Sequence, residues 1–230
     1  MEAALKSGCG YVKLTTAEKV KLALAAKYPQ AIYLDECDLN SRSIAIGMGC
    51  GVSERLYERI AFLTHNYDGT LIIDADGLNS LSEYGVGVIK SSRCKIVLTP
   101  HAKEFSRLTG KPTEEILQDQ IKHATDFAKN FGVVLLLKGA ATVITDGERT
   151  ALNLSGTTAL AKAGSGDMLS GYMAGSAARG LSPFDAAVCA AYTLGVSAEI
   201  SSQQKTDYCA TARDILNNLH LAVKRLTGKF

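Results

Sequence analysis

The segment Val133-Val134-Leu135-Leu136-Leu137-Lys138-Gly139-Ala140-Ala141-Thr142-Val143-Ile144-Thr145 is an unbroken apolar run, a small polar turn and a second apolar run. A short run that is apolar at every position reads as a strand buried on both faces, and such a strand needs helices above and below it. Outward from this segment the same alternation recurs. It predicts strands over Tyr11 to Leu14, Ala31 to Leu34, Ser43 to Ile46, Thr70 to Asp74, Lys95 to Leu98, Val133 to Leu137 and Ala141 to Thr145. It predicts helices over Ala17 to Lys27, Ser53 to Thr64, Lys103 to Leu108, Thr113 to Phe131, Gly166 to Arg179, Pro183 to Ser202 and Thr211 to Leu226. Thr113 after Pro112, with Glu115 following, and Ser182-Pro183 before an apolar run are helix starts. The class is α/β, a sheet flanked by helices on both faces with a helical C-terminal third packed on it.

Composition bounds the partners. A chain of 230 residues with 47% apolar and 21% charged content buries one full core, so a single domain over 1–230 is expected. Lys+Arg 25 against Asp+Glu 23 leaves a net charge of +2, which marks neither nucleic acid nor a membrane surface as partner. Cys9, Cys37, Cys50, Cys94, Cys189 and Cys209 are far apart with no CxxC, so neither a zinc site nor a disulfide framework is legible. The opening MEAALKSGCGYVKL has no long apolar core, and no run reaches the roughly 18 apolar residues of a membrane span. A soluble, cytoplasmic protein is expected.

Function must then lie in local sites. Thr157-Thr158-Ala159-Leu160-Ala161-Lys162-Ala163-Gly164-Ser165-Gly166-Asp167-Met168-Leu169-Ser170-Gly171 is a small-residue loop running into a helix. Glycines let the backbone approach a phosphate, and the unpaired N–H groups and dipole of a helix start favour negative charge. Asp167 is either a first-turn carboxylate or, if phosphates sit in the loop, a general base beside the reacting oxygen. The loop is neither a GxxxxGK[ST] nor a GxGxxG motif.

Four other turns leave the carboxyl ends of predicted strands, where open α/β sheets bind ligands. Lys138-Gly139-Ala140-Ala141-Thr142 is either a hairpin turn with a solvated lysine or part of a site. Asp74-Ala75-Asp76-Gly77-Leu78-Asn79 carries two acids that suit Mg²⁺ or substrate hydroxyls, although Asp76 also suits a helix cap. Thr99-Pro100-His101-Ala102-Lys103-Glu104-Phe105 places His101 and Glu104 on the same edge. Gly47-Met48-Gly49-Cys50-Gly51 either admits a ligand or makes a tight turn. Bland turns need not all fall on one side of a sheet, so the conjunction favours a binding cleft.

Ala163–Asp167 (AGSGD) after KGAAT resembles the ribokinase-like kinases, and the DADGLN, TPHAKEF and GMGCG segments resemble, within that group, the ADP-dependent (S)-NAD(P)H-hydrate dehydratases. The likeness runs from about Gly8 to the last helix and keeps the order of all five motifs. It implies a ribokinase-like fold with a mostly parallel sheet. It also implies dehydration of the (S)-hydrates of NADH and NADPH with ADP, or ATP, as phosphoryl donor and Mg²⁺ to offset phosphate charge. By this resemblance Lys138, Gly139, Ala140, Ala141 and Thr142 bind the nucleotide, Gly166 lines its anion hole, and Asp167 is the base. Gly49 and His101 contact the hydrated dinucleotide, with Asp74, Asp76 and Asn79 in the same substrate-side segment. A homo-oligomer, commonly a tetramer, is implied as well, and the small apolar stretch Ala186–Gly195 offers a helix face for it.

The chain departs from the family in four places. Lys162-Ala163-Gly164-Ser165 stands where relatives have Thr-Gly-Gly, GMGCG stands for GPGxG, and TPHAKEF stands for TPHPGEF. The strand and Gly-rich turn with which relatives open have no counterpart before Met1–Ser7, so the sheet is expected to lack that strand. Two other readings share AGSGD and KGAAT. A small-molecule kinase of the vitamin or sugar type would release a stable phosphoester, and a nucleotide sensor would bind without turnover. An epimerase domain has no room in 230 residues.

Overall fold

The structure is a computed structural model and describes residues 1–228. In chain order the elements are α1 (Glu2–Leu5), β1 (Lys13–Thr15), α2 (Glu18–Ala25), β2 (Ile32–Leu34), β3 (Ser43–Ile46), α3 (Glu54–Asn66), β4 (Thr70–Ile73), α4 (Asp76–Tyr84) and β5 (Lys95–Leu98). There follow α5 (Ala102–Thr109), α6 (Thr113–Gln118), α7 (Gln120–Phe131), β6 (Val134–Leu137), β7 (Thr142–Thr145), β8 (Thr150–Asn153), α8 (Ser165–Ala178), α9 (Pro183–Cys209) and α10 (Ala212–Thr227).

Six strands form the central sheet in the order β3-β4-β5-β6-β7-β8. The first four are parallel, β7 runs antiparallel to β6, and β8 runs antiparallel to β7 and so in the direction of the first four. Because successive side chains on a strand point to opposite faces, each strand feeds two cores. Leu71, Ile73, Ile96, Leu98, Leu135 and Leu137 enter the core under α3–α7, where Ile60, Leu63, Phe105 and Phe127 meet them. Ile72, Val97, Val134, Leu136 and Ile144 enter the other, under α8, α9 and α10, with Met168, Met173, Leu194 and Leu219. Both faces are therefore dry, which accounts for the continuous apolar runs.

Several expectations are corrected. The strands Tyr11 to Leu14 and Ala31 to Leu34 do not join the main sheet but form a separate parallel pair, β1 with β2. The helix Thr113 to Phe131 breaks at Asp119 (φ −148°, ψ 70°), whose carboxylate accepts the N–H of Lys122 and starts α7. Strand β8 closes the sheet with no counterpart among the expected strands, and the helix offered at Asp76 exists as α4, with Asp76 its first residue rather than its cap. The stretch Ala186–Gly195 lies in α9, and Ala186, Ala187, Ala190, Ala191, Leu194 and Gly195 are buried inside the chain itself. Intramolecular packing thus covers most of that stretch. Among the described residues no helix is long and apolar enough to cross a membrane.

Candidate active site

The parallel ladders run one residue or more past the strands and hold four loops side by side. Asp74 N–H donates to Ile46 O (3.1 Å), Thr99 N–H to Ile73 O (3.3 Å) and Lys138 N–H to Pro100 O (2.8 Å). The loops after β3, β4, β5 and β6 therefore leave one edge in register.

At their centre is an ion pair. Lys138 Nζ donates to Asp74 Oδ1 (3.0 Å) and lies 3.9 Å from Glu104 Oε2. Asp74 is 1% exposed, and its carboxylate also accepts from Ser170 Oγ (2.8 Å) and from the N–H of Ala75 (2.9 Å). A buried carboxylate is tolerated only when so paired. Ala75 turns the chain at φ 51°, a conformation that costs a residue with a Cβ about 1–3 kcal/mol. His101 caps α5. Its Nδ1 accepts the N–H of Glu104 (3.1 Å) while Glu104 Oε2 accepts the N–H of His101 (2.8 Å), a reciprocal capping box. In the neutral ring this leaves the proton on Nε2, and the imidazole is half exposed.

Helix α8 points its N-terminus at this pair. Gly164 enters it at φ 90°, ψ −10°, a left-handed turn that only glycine takes without strain, and no side chain caps the helix. A Cβ on Gly166 would sit 3.4 Å from Asp74 Oδ2 and 3.6 Å from Lys138 Nζ, so the absent side chain leaves room between the helix start and the ion pair. Ser165 Oγ is buried without a hydrogen-bond partner. Free first-turn N–H groups and the Lys138 ammonium on either side of that space suit a phosphate, and the Ser165 hydroxyl in the same first turn has no partner of its own. Asp167 stands at the rim of the space with an exposed side chain. Removal of water and the nearby Asp74 charge push its pKa up, against the pull of the Met1 ammonium and Lys138.

The remaining residues frame this centre. Gly47 (φ 113°) is fixed by crowding, since a Cβ there would collide with Asp74 O. Gly49 faces open space, and its loop is pinned where Gly51 N–H donates to Asp76 Oδ2 (2.8 Å), so Asp76 serves the loop. Asn79 Oδ1 accepts from Arg107 Nη1 (2.7 Å) on α5. Gly139, Ala140, Ala141 and Thr142 make an exposed hairpin turn in which Thr142 Oγ1 donates to Gly139 O (3.2 Å). The hairpin reading was right for the backbone, but Lys138 itself is paired rather than solvated. Ser165 and Ser170 were not singled out from the sequence. Ser170 follows Asp167 by three residues on one helix, and that spacing was the available signal.

Residues 1–220 match the family model for NAD(P)H-hydrate dehydratase. The bifunctional NAD(P)H-hydrate repair enzyme of Thermofilum pendens is 31% identical over 98% of this chain and 47% of its own, so the chain spans about half the length of that relative. The ADP-dependent (S)-NAD(P)H-hydrate dehydratase of Cenarchaeum symbiosum is 32% identical over 96% of this chain and 81% of its own. In three dimensions the ADP/ATP-dependent NAD(P)H-hydrate dehydratase of Bacillus subtilis, co-crystallized with ATP/Mg²⁺, superposes with a TM-score of 0.87. That likeness has 28% identity over 97% of this chain and 84% of the other. With its ribokinase-like fold and a match from the first residue into α10, the chain belongs to the NAD(P)H-hydrate dehydratase family.

Proposed function

We propose that this chain, as a single domain over 1–230, dehydrates the (S)-hydrates of NADH and NADPH, with ADP or ATP as phosphoryl donor. The observation that carries the reading is the space between the α8 N-terminus and the Asp74–Lys138 pair, with Asp167 at its rim. The N–H groups of Gly166 and Asp167, the Ser165 hydroxyl and Lys138 hold the transferred phosphoryl group, and the Gly139–Thr142 turn receives the rest of the nucleotide. Asp74 acts through Lys138, because its oxygens are already occupied. Gly49 and His101 face the hydrated dinucleotide, with Asn79 alongside.

Asp167 takes the proton of the hydrate hydroxyl as that oxygen attacks the terminal phosphorus and the phosphoanhydride bond breaks, releasing AMP if ADP is the donor. Burial and the Asp74 charge raise the pKa of Asp167, which makes its carboxylate a stronger base than an ordinary aspartate. Phosphate then leaves with the C–O bonding pair and a proton departs from the neighbouring carbon, restoring the ring double bond. Among the described residues no group of three or more His, Cys, Asp or Glu side chains could hold a metal ion, so Mg²⁺ would be carried by the phosphates, near Asp167. Bound there it would offset phosphate charge.

A homotetramer is part of the same reading, as is a cytoplasmic location. The exposed Leu152, Leu154 and Tyr192 beside the β8 edge support self-association, and six free cysteines suit a reducing compartment. The test of function is return of NADH absorbance from hydrated NADH when ADP or ATP is added. A stable phosphoester product would instead make the chain a small-molecule kinase, and binding without turnover a sensor.

A further inference from the structure

The Lys162 side chain does not reach the phosphate space. Its ammonium donates to Asp207 O (2.7 Å), Tyr208 O (2.9 Å) and Ala210 O, so all three N–H bonds end on backbone carbonyls. Those carbonyls lie where α9 stops. The helix is interrupted just before them at Thr206, a β-branched residue held at φ 65°, ψ 160°, so the lysine is seated on the short turn that follows the break. The stretch leading to Lys162 is fastened to the same helix by Gly156 N–H to Glu199 Oε1 (2.9 Å), Thr157 Oγ1 with Ser202 Oγ (2.8 Å) and Thr158 Oγ1 to Asp207 Oδ2 (2.6 Å). Beyond it, the carbonyl of Lys162 accepts the N–H of Ser165 (3.2 Å), the first residue of α8. The backbone of Lys162 thus joins the phosphate-facing helix start, while its side chain is fixed to the end of α9.

Resting on the function proposed above, we infer that Lys162 is a positioning residue: its ammonium, seated among three carbonyls, locks the Ala161–Gly164 loop so that the N–H groups of Gly166 and Asp167 are already aimed at the transferred phosphoryl group. Preorganised donors stabilise a transition state without reorganising during the reaction, and a loosened loop would lose that.

The test compares Lys162→Ala, which empties the carbonyl nest, with Lys162→Met, which fills it without charge. Both variants are expected to fold, to raise the KM for nucleotide about tenfold and to lower kcat about tenfold, with the KM for hydrate unchanged. Amide exchange in the peptide spanning Ala161–Leu169, which contains the bonded Ser165 and Met168 amides, should quicken about tenfold in both. Added ammonium ion, against tetramethylammonium at equal ionic strength, should restore Lys162→Ala but not Lys162→Met. Wild-type kinetics in Lys162→Ala, or lost activity with unchanged exchange and no response to ammonium, overturns the assignment. If the wild type neither turns over hydrate nor shifts its melting with nucleotide, the functional reading fails by itself, and exchange with and without ammonium still decides the role of Lys162.

Discussion

Lys138 Nζ lies 3.0 Å from Asp74 Oδ1, although 64 positions of sequence separate them and β5 runs between their strands. The lysine leans across the end of β5 beneath the α8 N-terminus, so one contact joins the two structural layers that a phosphate must touch. Lys138→Met leaves the buried Asp74 without its cation and is expected to cost about 1–3 kcal/mol. Adding Asp74→Asn should recover at least half of that loss. Urea unfolding of the three variants measures the coupling, and strictly additive losses would mean the pair is not a unit.

Gly166→Ala should move stability and binding in opposite directions. Alanine favours a helix over glycine by up to about 1 kcal/mol, and its Cβ meets only ordinary contacts at 3.4 and 3.6 Å, so the melting temperature should rise or hold. The same methyl occupies the phosphate space. Nucleotide affinity, read by calorimetry, should fall about tenfold or more; unchanged affinity would place the phosphates elsewhere.

Asp167→Asn should lower kcat by about 10² or more while nucleotide still raises the melting temperature. It should also stabilise the protein. The folded state raises the pKa of Asp167 above the ordinary value of 3.8, so the ionised carboxylate disfavours the fold. That penalty is absent below the unfolded value, grows as pH rises through the folded value and is complete above it. The asparagine variant is therefore expected to melt higher than wild type at about pH 7 and to match it at about pH 3. A lower melting temperature at neutral pH would contradict the electrostatic environment described.

The sheet was legible because Val134 and Leu136 face one core while Leu135 and Leu137 face the other, and both sets are apolar. The break at Asp119 was hidden because Gln118-Asp119-Gln120 contains neither glycine nor proline, and β8 because Thr150-Ala151-Leu152-Asn153 is a half-exposed edge. Loop chemistry at the strand ends was legible, and Lys138, Asp74 and Gly166 do meet. The partner of Lys162 was not, since backbone carbonyls bear no mark in sequence.

Self-association now rests on a smaller surface than the sequence suggested, because most of Ala186–Gly195 is buried within the chain and Leu152, Leu154 and Tyr192 remain outside. Light scattering at tens of micromolar is expected to give a tetramer mass. Leu154→Glu, at a side chain 74% exposed, should lower that mass without lowering the melting temperature of the separated chain. A monomer mass for the wild type would refute the assembly.

The central claim is that the space under the α8 N-terminus carries phosphoryl transfer to a hydrated nicotinamide dinucleotide. Hydrated NADH is mixed with the purified chain and Mg²⁺, and NADH absorbance is followed with ADP, with ATP and with neither. The account predicts nucleotide-dependent return of NADH with one AMP or ADP and one phosphate released per turnover, slowed about 10²-fold or more in Asp167→Asn. Return of NADH at the same rate without nucleotide, or none with either nucleotide, would contradict it.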